Sequence, residues 1–228
     1  MDLTLDELFR WQAPAEITIK GRTVKVLLKT LGEAAEKDRR DKAMAASRLA
    51  LRDFDDTESL LHINRVRPML DMPEDKLREL VFALQLDSFK ERAGDEIIQY
   101  KDDSVRSPES LTEVIEQSDQ SEQDEKERID AEANWVKAAM VSFEQDYDAM
   151  ERGQREAEAL RLLRELVARE AYMARWISCT LHRSVYTESG DRLYYASLDQ
   201  WDNADQGFRE KAMGCYLELD KASRNPNF

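Results

Sequence analysis

Trp135-Val136-Lys137-Ala138-Ala139-Met140-Val141-Ser142-Phe143-Glu144-Gln145-Asp146-Tyr147-Asp148-Ala149-Met150 places Trp135, Ala139, Phe143, Tyr147 and Met150 at steps of three or four. That period puts one apolar stripe on a helix and leaves the opposite face charged. The same pattern begins near Glu125 and continues through Leu160, Leu163, Val167 and Ala174 to about Ser178. Unbroken, such a helix would measure on the order of 80 Å at 1.5 Å per residue. Gly153 costs roughly 1 kcal/mol against alanine in a helix interior, so a bend or break is expected near Arg152-Gly153-Gln154. Two helices that fold back and one long helix that self-associates both fit the pattern.

Working outward, Glu16 to Lys29 alternates apolar and polar residues, Ile17 and Ile19 and then Val24, Val26 and Leu28, around Lys20-Gly21-Arg22. A β-hairpin is predicted there. Thr30-Leu31-Gly32-Glu33 has capping-box spacing, predicting a helix to about Arg52. A further helical piece covers Thr57 to Val66 and is expected to stop before Pro68, which disfavours helical backbone at Arg67. Pro73 suits the first turn of a helix carrying Leu77, Leu80, Val81, Leu84 and Leu86 to around Tyr100. Toward the C-terminus, Arg183 to Ser197 reads as a second hairpin turning at Glu188-Ser189-Gly190-Asp191. Ser197-Leu198-Asp199-Gln200 then reads as a capping box opening a helix with Trp201, Phe208, Ala212, Tyr216 and Leu219.

The expected fold class is mainly α with two small β-hairpins. By composition the chain divides into an N-terminal hairpin plus helices (1–101), an acidic linker (102–124) and a long helical region ending in a hairpin-helix unit (125–228). Of 228 residues, 42% are hydrophobic and 36% charged, with 7 Gly and 5 Pro, a balance that favours charge-laced helices. Net charge is −14, and between Asp102 and Asp130 eleven acidic residues face Arg106, Lys126 and Arg128, a local charge of −8. Such a chain is repelled by phosphate backbones and anionic lipid, so direct nucleic-acid and membrane binding are disfavoured. No apolar run approaches the roughly 18 to 20 residues that span a bilayer, and the acidic N-terminus does not resemble a targeting signal. Cys179 and Cys215 read as reduced thiols, so the cytoplasm is the expected location.

Catalytic patterns are absent. His62 and His182 are the two histidines, and Cys179-x-x-His182, even with Cys215, falls short of the four ligands of structural zinc. Neither a Walker loop nor Gly-x-Gly-x-x-Gly occurs. No catalytic residue, metal site or cofactor is expected. Aromatic side chains dominate binding hot spots because they bury a large area at low entropy cost. Trp135, Phe143, Tyr147, Trp176, Tyr194 and Trp201 are therefore the expected partner contacts, although the same residues also suit the core of a hairpin-helix unit.

Tyr186-Thr187-Glu188-Ser189-Gly190-Asp191-Arg192-Leu193-Tyr194-Tyr195-Ala196-Ser197-Leu198-Asp199-Gln200 resembles the C-terminal unit of tail assembly chaperones of long-tailed, siphovirus-type bacteriophages. Ile17-Thr18-Ile19-Lys20-Gly21-Arg22-Thr23-Val24-Lys25-Val26 is similar to the opening of the same proteins. The resemblance implies a chaperone of the host-cell cytoplasm that coats the tape-measure protein and hands it to tail-tube protein. It also implies that a frameshifted longer product is made in some members. Two other classes fit the composition: an acidic inhibitor or DNA mimic, whose charge would form an ordered face, and a connector or scaffolding protein built by self-association of the long helix. Homo-oligomer formation is left open.

Overall fold

A two-residue turn between alternating apolar runs matches the right-handed twist of its strands when it is a mirror-image turn, and the type I′ form takes positive φ at both turn residues. In the computed structural model, which describes residues 11–102 and 117–224, Lys20 (φ 49°) and Gly21 (φ 77°) supply that turn. They join β1 (Gln12–Ile19) to β2 (Arg22–Lys29) in antiparallel register, Ile17 opposite Val24 and Ala15 opposite Val26. Helix α1 follows at Glu33–Asp55, beginning from Gly32 without a side-chain cap. The expected box at Thr30 does not form, because Thr30 is tied to Trp11 just beyond the end of the sheet. Its amide donates to the Trp11 carbonyl at 2.9 Å and its hydroxyl accepts from the Trp11 amide at 3.1 Å.

The predicted stop before Pro68 is overturned as well. His62–Val66 forms a π-helical turn in which the Arg67 amide reaches the His62 carbonyl, and α2 (Arg67–Leu70) runs through the proline. A proline ring clashes with the carbonyl four residues back in an α-helix, and the wider π turn moves that carbonyl away. Helix α3 occupies Glu74–Asp102 and α4 Gln117–Ala149. Residues 103–116 of the expected acidic linker lie outside the described residues, and its last part, 117–124, is helical.

Helix α5 spans Arg152–Ser184, so the long periodic segment is two helices, interrupted at Met150 and Glu151. Gly153 falls inside the first turn of α5 and is not the break. Capping decides the position. The Glu151 amide donates to Gln154 Oε1 at 2.9 Å, while Arg155 donates to the Tyr147 and Asp148 carbonyls at 3.2 and 3.3 Å, occupying carbonyls left open at the end of α4.

The second hairpin is only partly present. Strand β3 is limited to Val185–Thr187, and it meets Leu193 through one bridge from Tyr186. Its main partner is β2, with Leu28 opposite Val185 and Val26 opposite Thr187, giving one antiparallel sheet of order β1-β2-β3. The turn after β3 holds Gly190 at φ 72°, where a Cβ would lie 2.6 Å from Leu27 Cδ2. The leucine tip can rotate away, so the left-handed backbone dominates the cost of a substitution. Gly190→Ala is expected to destabilise by about 1–2 kcal/mol, read as a lower urea midpoint with unchanged m-value.

Helix α6 (Leu198–Asp202) starts at Ser197 as the sequence indicates, with Gln200 Oε1 accepting the Ser197 and Ala196 amides at 3.1 and 2.8 Å. The expected single helix stops there. Asn203 to Asp205 separate it from α7 (Gln206–Arg224), whose first turn is capped by Asp205 Oδ1 accepting the Phe208 amide at 3.3 Å.

Among the described residues, contacts form two units, one drawn from 1–56 and 167–228 and another from 57–166. The reason lies in what covers the hairpin. Ile17, Val26 and Leu28 are buried against Leu181, Val185, Trp201, Phe208, Ala212 and Tyr216, all from the far end of the chain. In the second unit Met69, Leu77 and Val81 pack with Phe143, Tyr147, Ala159 and Leu162. Arg78 of α3 pairs with Glu144 and Asp148 of α4 at the edge of that core. No described helix is long and apolar enough to cross a membrane.

Candidate interaction surface

The six aromatic residues expected to contact a partner separate by burial. Phe143 and Tyr147 lie in the second unit's core, where Phe82 meets both and Phe89 meets Phe143 in edge-on pairs with centroids 5.3–6.4 Å apart. Trp135 is half-buried there, edge-on to Phe89 at 5.8 Å. In the first unit Trp176 is half-buried beneath the Arg39 guanidinium, 4.3 Å from the ring centre. Trp201 is wholly buried and stacks parallel to Phe208 at 5.7 Å. Phe143, Tyr147 and Trp201 are thus core residues, while Trp135, Trp176 and Tyr194 are half-buried.

Tyr194 and Tyr195 pack edge-on at 4.9 Å and lean on Trp201 and Phe208 from the solvent side. They are held by the partial hairpin, in which the Tyr194 amide donates to the Val185 carbonyl at 2.9 Å. Facing them is the tip of β1-β2. The residues between form a pocket of about 550 Å³ with Ile19, Val24, Tyr194, Tyr195 and Phe208 as its apolar lining and Lys20, Arg22 and Asp205 as its polar rim.

One ion pair closes one side of the pocket: Lys20 Nζ donates to Asp205 Oδ2 at 2.8 Å, joining the hairpin tip to the start of α7. The Asp205 carboxyl is held below its ordinary value by the Lys20 hydrogen bond first and by the Phe208 and Gly207 amides with it, and Lys20 is raised in return. A carboxylate depressed in the folded state adds stability above its unfolded pKa, near 4, and loses it as pH falls through the lower folded value. Thermal melts from neutral to acid pH are therefore expected to fall less steeply for Asp205→Asn, which keeps a capping oxygen but no charge. Arg22 is exposed on the same rim.

Burial raises the Tyr195 hydroxyl above its ordinary value, with Tyr194 contributing, so the Tyr195 hydroxyl is neutral and able to donate a hydrogen bond at physiological pH. Burial also pushes the Cys179 thiol up and the His182 imidazole down, which leaves the thiol protonated and the ring neutral. Among the described residues, no group of three or more His, Cys, Asp or Glu is arranged to hold a metal ion.

Sequence reading did not find Ile19, Lys20, Arg22, Val24 or Asp205 as parts of this site. Their only local signal was the Asp205-x-x-Phe208 cap, since the hairpin joins the tyrosines through contacts some 170 residues apart in the chain. The sequence matches no family model and no curated protein, and the fold matches no solved structure.

Proposed function

We propose that this protein acts by binding, as a tail assembly chaperone of long-tailed bacteriophages that holds the tape-measure protein soluble in the host cytoplasm and helps recruit tail-tube protein. The observation that carries the reading is the open aromatic pocket of the first unit, on a chain of net charge −14. An amphipathic helix awaiting assembly exposes an apolar stripe, and a pocket of this size takes a large side chain from such a stripe. The tyrosine hydroxyls and the Arg22 guanidinium would orient that helix by hydrogen bonds at the rim. The acidic surface elsewhere keeps the complex dispersed. No metal or cofactor takes part in this mechanism.

The test is co-expression with the long helical protein encoded beside it, followed by affinity capture and measurement of that neighbour's soluble fraction. The neighbour is expected to be soluble and captured only with this chain. The Tyr194→Ala/Tyr195→Ala variant should weaken capture by at least about 30-fold, the effect of losing a hot spot of roughly 2 kcal/mol. A neighbour whose solubility is indifferent to the chain would remove the tail-chaperone reading.

A further inference from the structure

A different surface of the first unit bears a pattern that complements itself. Along α7, Glu210, Gly214, Leu217 and Lys221 stand at i, i+4, i+7 and i+11, so all four share one stripe. All are exposed, Leu217 to 50%. Gly214 sits in the helix interior, where glycine costs about 1 kcal/mol against alanine. A Cβ there would meet nothing within 4 Å, so no neighbour in its own chain demands the glycine. Beside it lies an apolar pocket of about 490 Å³ walled by Ala174, Ile177 and Met213. Glu210 accepts a hydrogen bond from Gln206 at 2.7 Å, and among the described residues neither Glu210 nor Lys221 has an ion-pair partner.

We propose that two copies of the chain associate through α7, antiparallel about a twofold axis between Cys215 and Tyr216. An isologous contact requires that residue i meet j and j meet i. About this axis Leu217 of each copy falls opposite Gly214 of the other and enters the adjoining pocket, while Glu210 falls opposite Lys221. Every element of the stripe is thereby used twice: two apolar knobs in two glycine holes, flanked by two ion pairs. The contact spans about three turns, roughly 16 Å of helix. With one helix stripe of about three turns in contact, the dimer is expected to be weak, with a dissociation constant in the micromolar range or above. The hairpin-tip pocket is not used, so the association and the chaperone reading stand or fall separately.

Sedimentation equilibrium of the full chain at near-physiological salt tests this. A reversible monomer–dimer equilibrium is expected. Leu217→Glu and Gly214→Leu should each leave a monomer at all concentrations, with thermal melts confirming that the variants fold. Glu210→Lys and Lys221→Glu alone should each weaken the dimer about tenfold, from two surface pairs lost at once, and the double exchange should restore most of that loss. Both charge positions are exposed, so this cycle reads the interface even if Leu217→Glu loosens the helix. A wild-type chain that stays monomeric would overturn the proposal, including one that instead takes an amphipathic peptide into the α7 pocket. A dimer indifferent to Leu217→Glu and Gly214→Leu, or an unrestored double exchange, would overturn it equally.

Discussion

Trp201→Ala is expected to destabilise the first unit by about 3–5 kcal/mol, the usual cost of truncating a buried indole. Trp201 is fully buried, stacked on Phe208 and flanked by both tyrosines, and it closes the side of the core that faces the hairpin residues Ile17 and Val26. Its indole N–H has no hydrogen-bond partner in the protein, so the loss is one of packing and cavity formation. Against a typical total of about 5–15 kcal/mol, this is a large share. The midpoint of a thermal melt should drop by roughly 10–20 °C. The hairpin-tip pocket should be lost with it, because Tyr194 and Tyr195 rest on this ring. A melt unchanged within a few degrees would mean that the aromatic cluster does not hold the sheet to α7.

In the second unit the corresponding effect belongs to Tyr147, and there the hydroxyl allows a sharper comparison. Its ring is fully buried between Phe82 and Phe143, with the guanidinium carbons of Arg78 and Arg155 at 5.6 and 4.9 Å from its centre. Burial raises the phenol above its ordinary value, and the oxygen has no partner among protein groups. Tyr147→Ala should therefore cost about 3–5 kcal/mol through the cavity. Tyr147→Phe should be neutral or stabilise by up to about 1 kcal/mol, since it removes a buried polar atom that returns no hydrogen bond. Chemical denaturation of the three proteins side by side checks both signs. A costly Tyr147→Phe would show that the hydroxyl holds a bound water or another group that stabilises the unit.

What could be read in the sequence was local. The β1-β2 hairpin follows from the alternation between Glu16 and Lys29 and from a Lys-Gly turn, all within about fourteen residues. Helices α3, α4 and α5 follow from apolar residues at steps of three and four. Ser197 begins a helix as its box implies, whereas Thr30, with the same spacing, does not. The difference is tertiary: the Thr30 hydroxyl is engaged by Trp11 at the end of the sheet. Nor could spacing reveal that β2 uses its second edge to pair with β3, because that choice depends on the open backbone groups of a strand 160 residues away. Proline misled for a related reason, since a π turn relieves the clash that normally ends a helix.

The candidate site was legible by halves. Tyr194 stood out as an aromatic residue beside a turn, and it does line the pocket. Phe143, Tyr147 and Trp201 carried the same signal and proved to be core. Helical or alternating aromatic spacing identifies a buried stripe without saying whether the covering group belongs to the same chain. Lys20, Arg22, Ile19 and Val24 gave no sign of their role, because the pocket exists only once the shared core packs the hairpin against α7 and sets Lys20 beside Asp205.

Amide hydrogen exchange on the complex recovered by co-expression tests the central claim most directly. Slower exchange is expected in Ile19 to Val24 and in Tyr194 to Phe208, the segments that line the hairpin-tip pocket, relative to the chain alone. Protection confined to α3 and α4, with the hairpin tip and the tyrosine segment exchanging as in the free chain, would contradict it.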